Sequence, residues 1–185
     1  MKQVYILFSQ TKTVPSRMIR FLKGGPFTHC SISLLPSTEH FYSYARRKIH
    51  NPLVGGLIKE NLQSGIFAYY ANCPCALYSL QVSDASYKRM KRCVDYYMRH
   101  YNKASYNMLG LLFLGLGVRW QRKYKLTCSQ FVSVVLQNAD EVELPKDPYL
   151  MCPNDLLTVD GLSLVYNGPL CNCTSHVFQK AQSTI

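Results

Sequence analysis

The sequence predicts an α+β fold in one domain. Three observations lead there. Val4–Phe8 is a continuous run of strand formers, Phe27–Leu35 and Ala76–Val82 alternate in the period of half-buried strands, and two segments after Ser83 and Thr127 carry apolar residues at helical spacing. No repeat, low-complexity tract or linker divides residues 1–185, so the whole chain is read as a single domain.

Taken in order, Val4–Phe8 is expected to be a buried first strand. Pro15 suits the first position of a short helix, Ser16–Lys23, which Gly24-Gly25-Pro26 would stop. Phe27–Leu35 follows as a strand, with His29, Ser31 and Ser33 on one face and Cys30, Ile32 and Leu34 on the other. Pro36–His40 reads as a turn, and Phe41–Ala45 as the second strand of a hairpin. Asn51-Pro52 and Gly55-Gly56 suggest an irregular loop, with a strand resuming at Leu57–Glu60.

Ala76–Val82 is the next strand. Ser83 then caps a long helix over Asp84–Tyr101, whose apolar face carries Tyr87, Met90, Val94 and Tyr97. Ala104–Gly117 reads as a second helical segment, weakened near its end by Gly115 and Gly117. Arg119–Lys125 is a basic linker into a third helix, which Thr127 caps and Phe131, Val132 and Val135 anchor. A last strand is expected at Leu162–Tyr166.

Apolar residues make up 48% of the chain and charged residues 17%, a globular composition. Lys and Arg number 21 against 10 Asp and Glu, a formal charge of +11. Such a surplus fits an anionic partner such as nucleic acid, an acidic polymer or a phospholipid surface, or else a solvated basic surface. Nucleic-acid-binding motifs are absent, so no specific nucleic acid is expected. Gly24-Gly25 and Gly55-Gly56 fit neither a phosphate loop nor a dinucleotide fingerprint, and no cofactor is expected. Neither the first apolar run nor Met108–Val118 reaches the roughly 20 residues that cross a bilayer, so no transmembrane segment and a cytoplasmic location are expected.

With no export signal, the eight cysteines are read as thiols rather than disulfides. Cys73-Pro74-Cys75 and Cys171-Asn172-Cys173, with His176 nearby, offer zinc-type ligands. A single residue between paired cysteines is tighter than the usual two to four, and no metal is assigned.

Cys128 stands in the first turn of the helix that Thr127 caps. Unpaired N–H groups and the positive end of the helix dipole favour thiolate there, and the thiolate is the nucleophile. The N–H of Cys128 or Ser129 can hold a developing oxyanion. His29, at the start of a strand, is the candidate base. By spacing alone a buried cysteine and a core histidine are the favoured reading.

Four segments extend the comparison: Phe27-Thr28-His29-Cys30-Ser31-Ile32-Ser33-Leu34, Tyr42-Ser43-Tyr44-Ala45-Arg46, Tyr106-Asn107-Met108-Leu109-Gly110-Leu111 and Thr127-Cys128-Ser129-Gln130-Phe131-Val132. Together they resemble the circularly permuted branch of the NlpC-type papain-like superfamily, the YiiX/YebB-like group related to the lecithin–retinol acyltransferases. The resemblance covers most of residues 4–136. It implies a permuted papain-like fold, an antiparallel sheet packed on the helix that bears the nucleophile, with the histidine strand preceding the cysteine helix.

Carried over position by position, the resemblance makes Cys128 the nucleophile and His29 the general base. The third, orienting position falls near Ser43, a departure from the charged or stronger hydrogen-bonding group usual there. Glu60 is the other candidate, placed narrowly behind Ser43, and His40 is a further one. Tyr106 matches a tyrosine that lines the pocket, and Ser129 adjoins the oxyanion site. The implied activity is a Cys-His thioester mechanism on an amide or ester, in a peptide or a lipid acyl substrate, by hydrolysis or transfer. The competing expectation is an inactive fold that binds an anionic ligand through Arg17, Arg20, Lys23, Arg46–Lys48 and Arg119–Lys125.

Overall fold

The structure, a computed structural model, describes residues 1–11, 25–48, 51–107, 110, 113–114, 116–122, 124–174 and 177–178. The expected helix over Ser16–Lys23, with Arg17, Arg20 and Lys23, lies outside these residues.

The strands β1 (Lys2–Ser9), β2 (His29–Ser33), β3 (Phe41–Lys48), β4 (Asn51–Glu60), β5 (Pro74–Val82) and β8 (Ser163–Pro169) form one antiparallel sheet in the order β4-β3-β2-β1-β5-β8. The short β6 (Ser105–Tyr106) and β7 (Lys125–Leu126) pair in parallel beside it. The helices are α1 (Gly65–Tyr69), α2 (Asp84–Arg99) and α3 (Cys128–Leu136). Antiparallel strands with segregated helices make this an α+β molecule. Among the described residues no helix is long and apolar enough to cross a membrane.

The continuous apolar character of β1 has a direct cause: both of its faces are covered. Val4, Ile6 and Phe8 point into a large core shared with Met90 and Val94 of α2 and with Phe131, Val132 and Val135 of α3. Tyr5 and Leu7 point into a second core with Phe41, Phe67, Leu77 and Phe178. Alternation along each strand divides the apolar residues between the two layers.

α2 begins as its sequence predicts, with the Ser83 hydroxyl accepting from the Ser86 N–H. α3 carries a full capping box. Thr127 accepts from the Gln130 N–H, while the Thr127 N–H donates to Gln130 Oε1 at 2.9 Å. All of α3 except Val134 is buried, which accounts for its apolar composition.

Two expectations fail. Asn51–Gly56 is not an irregular loop but the first part of β4, paired with β3 through Ala45↔Gly56, Arg46↔Gly55 and Lys48↔Asn51. The two glycines answer to close approach rather than to a turn. A Cβ on Gly55 would lie 2.7 Å from Cβ of Tyr106, and one on Gly56 would run into the Ala104 carbonyl oxygen. The expected helix over Ala104–Gly117 instead opens with β6. Ser105 and Tyr106 pair with Lys125 and Leu126, because the Ser105 N–H finds the Tyr124 carbonyl at 3.0 Å and the Asn107 N–H finds that of Leu126 at 3.1 Å. Gly110, Phe113 and Leu114 are helical, and 108–109, 111–112 and 115 lie outside the described residues.

Candidate functional site

β2 and β3 share only the ladder pairs Ser33↔Phe41 and Ile32↔Tyr42. Beyond them the strands part, and His29 stands at the mouth of the gap. The cavity there is lined by Thr28 and His29 from the β2 side and by Tyr44, Ala45 and Arg46 of β3, together with Glu60, Ile66, Phe67 and Tyr106. Cys128 approaches from the α3 side. On the other side Phe67 lies with its ring centroid 6.0 Å from that of His29.

The orienting group of His29 is Glu60. Its carboxylate oxygens lie 3.0 Å and 3.4 Å from His29 Nε2, and both side chains are buried. This corrects the expectation that put Ser43 first. Ser43 is buried beside its ladder partner Ile58, and its hydroxyl has no hydrogen-bond partner among the described residues. The physical reason is register: the pairs Ser33↔Phe41 and Ile32↔Tyr42 put Ser43 opposite Ser31 rather than His29. His40 is no alternative, because its Nδ1 meets the Ser37 hydroxyl at 3.1 Å within the turn.

With Nε2 held by Glu60, Nδ1 is the ring nitrogen left for the Cys128 thiol, with which His29 interacts. Burial alone would depress the imidazole. The Glu60 charge and the hydrogen bonds to Cys128 and Glu60 outweigh it and push His29 up to about 10. The Cys128 thiol moves the opposite way, well below the ordinary thiol range. Its largest cause is a hydrogen bond from the Cys30 thiol. Burial opposes this, and the hydrogen bond and positive charge of His29, with the Cys30 backbone N–H, add to it. The two shifts run in opposite directions, and both favour a thiolate beside an imidazolium.

Cys30 is the group that sequence reasoning missed. It lies one residue after His29 on the face that α3 covers, and burial followed by the bond to Cys128 pushes its own thiol upward. Its position on the helix-facing side of β2 was the available signal. Glu60 stands at the end of β4 and is the only buried acidic residue among those described, which its position beside the exposed Lys59 did not announce.

Tyr106 reaches the site through β6. The pairing Tyr106↔Leu126 brings it close to the start of α3, where its hydroxyl bonds to Cys128; burial, more than that bond, pushes the phenol upward. Ser129 is expected at the oxyanion site through its N–H, and its side chain is engaged elsewhere. Its hydroxyl is buried and donates to the Met151 carbonyl at 2.7 Å, so its side chain is committed to the fold. What Ser129 brings to the site is its backbone N–H. With that of Cys128, it belongs to the first turn, where no carbonyl within the helix can accept. Gln130 serves the cap and donates to the Tyr149 carbonyl at 2.8 Å.

The expected basic rim divides. Arg46 and Arg47 line cavities at the site, whereas no described residue of Arg119–Lys125 does. Arg119 pairs with Asp147 at 3.3 Å, and Arg122 lies over Trp120. Of the Cys-x-Cys pairs, Cys75 and Cys173 are free thiols joined by a hydrogen bond, and Cys171 is exposed, donating to Asn72 Oδ1 at 3.6 Å. Among the described residues no group of three or more His, Cys, Asp or Glu has the arrangement to hold a metal ion.

No protein-family model matches the chain, and a search of curated proteins found no match.

Proposed function

We propose that this protein is a thiol hydrolase or acyltransferase with a permuted papain-like fold, acting on an amide or ester through a thioester at Cys128. The observation that carries the reading is the charged chain Cys128–His29–Glu60, with Glu60 3.0 Å from His29 Nε2. A buried carboxylate on the far side of an imidazole stabilises imidazolium and fixes the ring, which a serine in that place does not do as well. A module that only binds a ligand has no need of such a chain.

In the proposed reaction the Cys128 thiolate attacks the substrate carbonyl. The first-turn N–H groups of Cys128 and Ser129 stabilise the oxyanion, and the Tyr106 hydroxyl borders it. His29 gives its proton to the leaving amine or alcohol, and a thioester on Cys128 remains. The neutral imidazole then takes a proton from water or another acceptor, which attacks the thioester and releases the acyl group. Glu60 holds the ring throughout through its contact with Nε2.

The test is to trap the thioester. Incubation with an activated p-nitrophenyl ester should add the acyl mass to Cys128, and hydroxylamine should remove it. Acylation spread over the exposed cysteines, or absent, contradicts the proposal.

A further inference from the structure

The cavity beside His29 is small, about 30 Å³, room for little more than the reacting group. It shares Arg46, Glu60, Ile66 and Phe67 with a second, larger cavity of about 330 Å³, which adds Arg47, Ile58, Lys59, Asn61 and Tyr101 among others. The two form one cleft. The inner end takes the scissile bond, and the outer chamber must take the bulk of whatever carries it.

The charge of that chamber is one-sided. Arg46, Arg47 and Lys59 line it, and its single acidic group among the described residues, Glu60, is engaged with His29. Arg47 is a fixed cation. Its Nη2 donates to the carbonyls of Tyr101 at 2.6 Å and Ala104 at 3.1 Å, and its guanidinium sits 4.0 Å from the centroid of the Tyr101 ring. Those partners are neutral, so they hold the guanidinium without cancelling its charge. Among the described residues neither Arg47 nor Lys59 pairs with a carboxylate. Ile66 and Phe67 supply an apolar wall. A low-dielectric wall beside fixed cations strengthens the attraction for an anion inside the cleft.

We propose that the substrate bears an anionic group, a carboxylate or a phosphate, on the side of its scissile bond that lies in the outer chamber, where Arg47 and Lys59 bind it next to the apolar wall of Ile66 and Phe67. This rests on the acyl-transfer reading of Cys128 and adds to it the class of molecule the site selects.

Two alkylating reagents with the same reacting carbon test it: iodoacetate, which is anionic, and iodoacetamide, which is neutral. In each case the Cys128 thiolate forms a C–S bond as the C–I bond breaks and iodide leaves. The ratio of the two rates is measured at Cys128 by peptide mass spectrometry and compared with that of glutathione at the same pH. The proposal predicts a ratio shifted several-fold toward iodoacetate. It also predicts that Lys59→Glu, a change at an exposed position that folding tolerates, and Arg47→Gln each lower the iodoacetate rate more than the iodoacetamide rate. His29 is present in every variant, so its own charge does not produce that difference.

If Cys128 reacts fast with both reagents and neither variant changes the ratio, the anion site is wrong and the acyl-transfer reading stands. If Cys128 reacts with neither faster than the other thiols do, the acyl-transfer reading fails and takes the inference with it. Inorganic phosphate and N-acetylglycine, added at matched ionic strength, separate the two anions. The one that better slows iodoacetate identifies the group the chamber accepts, and protection by neither overturns the proposal.

Discussion

Glu60 Oε1 lies 3.0 Å from His29 Nε2, and the carboxylate's charge is the largest of the effects that favour the protonated imidazole. The carboxylate ends β4, the imidazole begins β2, and both are buried, so little water screens the pair. Cys128 answers on the other side of the ring, and the two charges stabilise one another.

Replacing Glu60 by Gln keeps the shape and removes the charge. The His29 imidazole should then fall by about one to three pH units, the usual effect of an opposite charge within 4–6 Å. Cys128 should lose part of its thiolate character at neutral pH. The pH profile of Cys128 alkylation measures this directly, and it should move to higher pH in Glu60→Gln.

Cys30 makes the largest favourable contribution to the Cys128 thiolate. Cys30→Ala should shift the alkylation profile of Cys128 upward, and Cys30→Ser, which keeps a donor, should restore part of the shift. A merely structural role for Cys30 would cost stability in both variants without separating their profiles.

The linked charges also shape stability. The His29 pKa is raised, so folding binds more protons than unfolding does between about 6.5 and about 10, and stability falls with rising pH across that window. The Cys128 pKa is lowered, so below the ordinary thiol value of about 8.5 stability rises with pH. Between about 6.5 and 8.5 the two slopes cancel. Denaturation measured across pH should show a plateau there for the dyad's contribution, taken as wild type minus a His29→Ala, Cys128→Ala double variant. It should decline on both sides.

Gly56 is the tightest point between β4 and the segment that carries Tyr106. Gly56→Ala would set a methyl group against the Ala104 carbonyl and the Arg47 guanidinium. A loss of about 1–3 kcal/mol in chemical denaturation is expected. Slower acylation of Cys128 should accompany it, because β6 delivers Tyr106 to the site.

The local signals in the sequence were read where local physics decides the structure. Ser83 and Thr127 mark true helix starts, because a cap depends on residues within one turn. The alternation of His29, Ser31 and Ser33 against Cys30 and Ile32 survives in the two cores. What escaped depends on strands distant in sequence. Glu60 could be ranked above Ser43 only by knowing the register of β2 on β3, which sets Ser43 opposite Ser31 and not His29. Gly55-Gly56 has the composition of a turn, and only the crossing of Tyr106 shows why glycines are needed within a strand. Likewise Ser105 and Tyr106 begin an apolar run suited to a helix, but pairing with Lys125 and Leu126 holds them extended.

The central claim is that Cys128 and His29 form one charged pair, in which His29 adds to the hydrogen bond from Cys30 in favouring the thiolate. The most direct measurement is the rate of alkylation at each of the eight cysteines as a function of pH, in wild type and in His29→Ala. The account predicts that Cys128 reacts well below pH 8.5, the ordinary thiol range, and loses that advantage when His29 is removed. A Cys128 that titrates with the other thiols, or that is unchanged by His29→Ala, contradicts it.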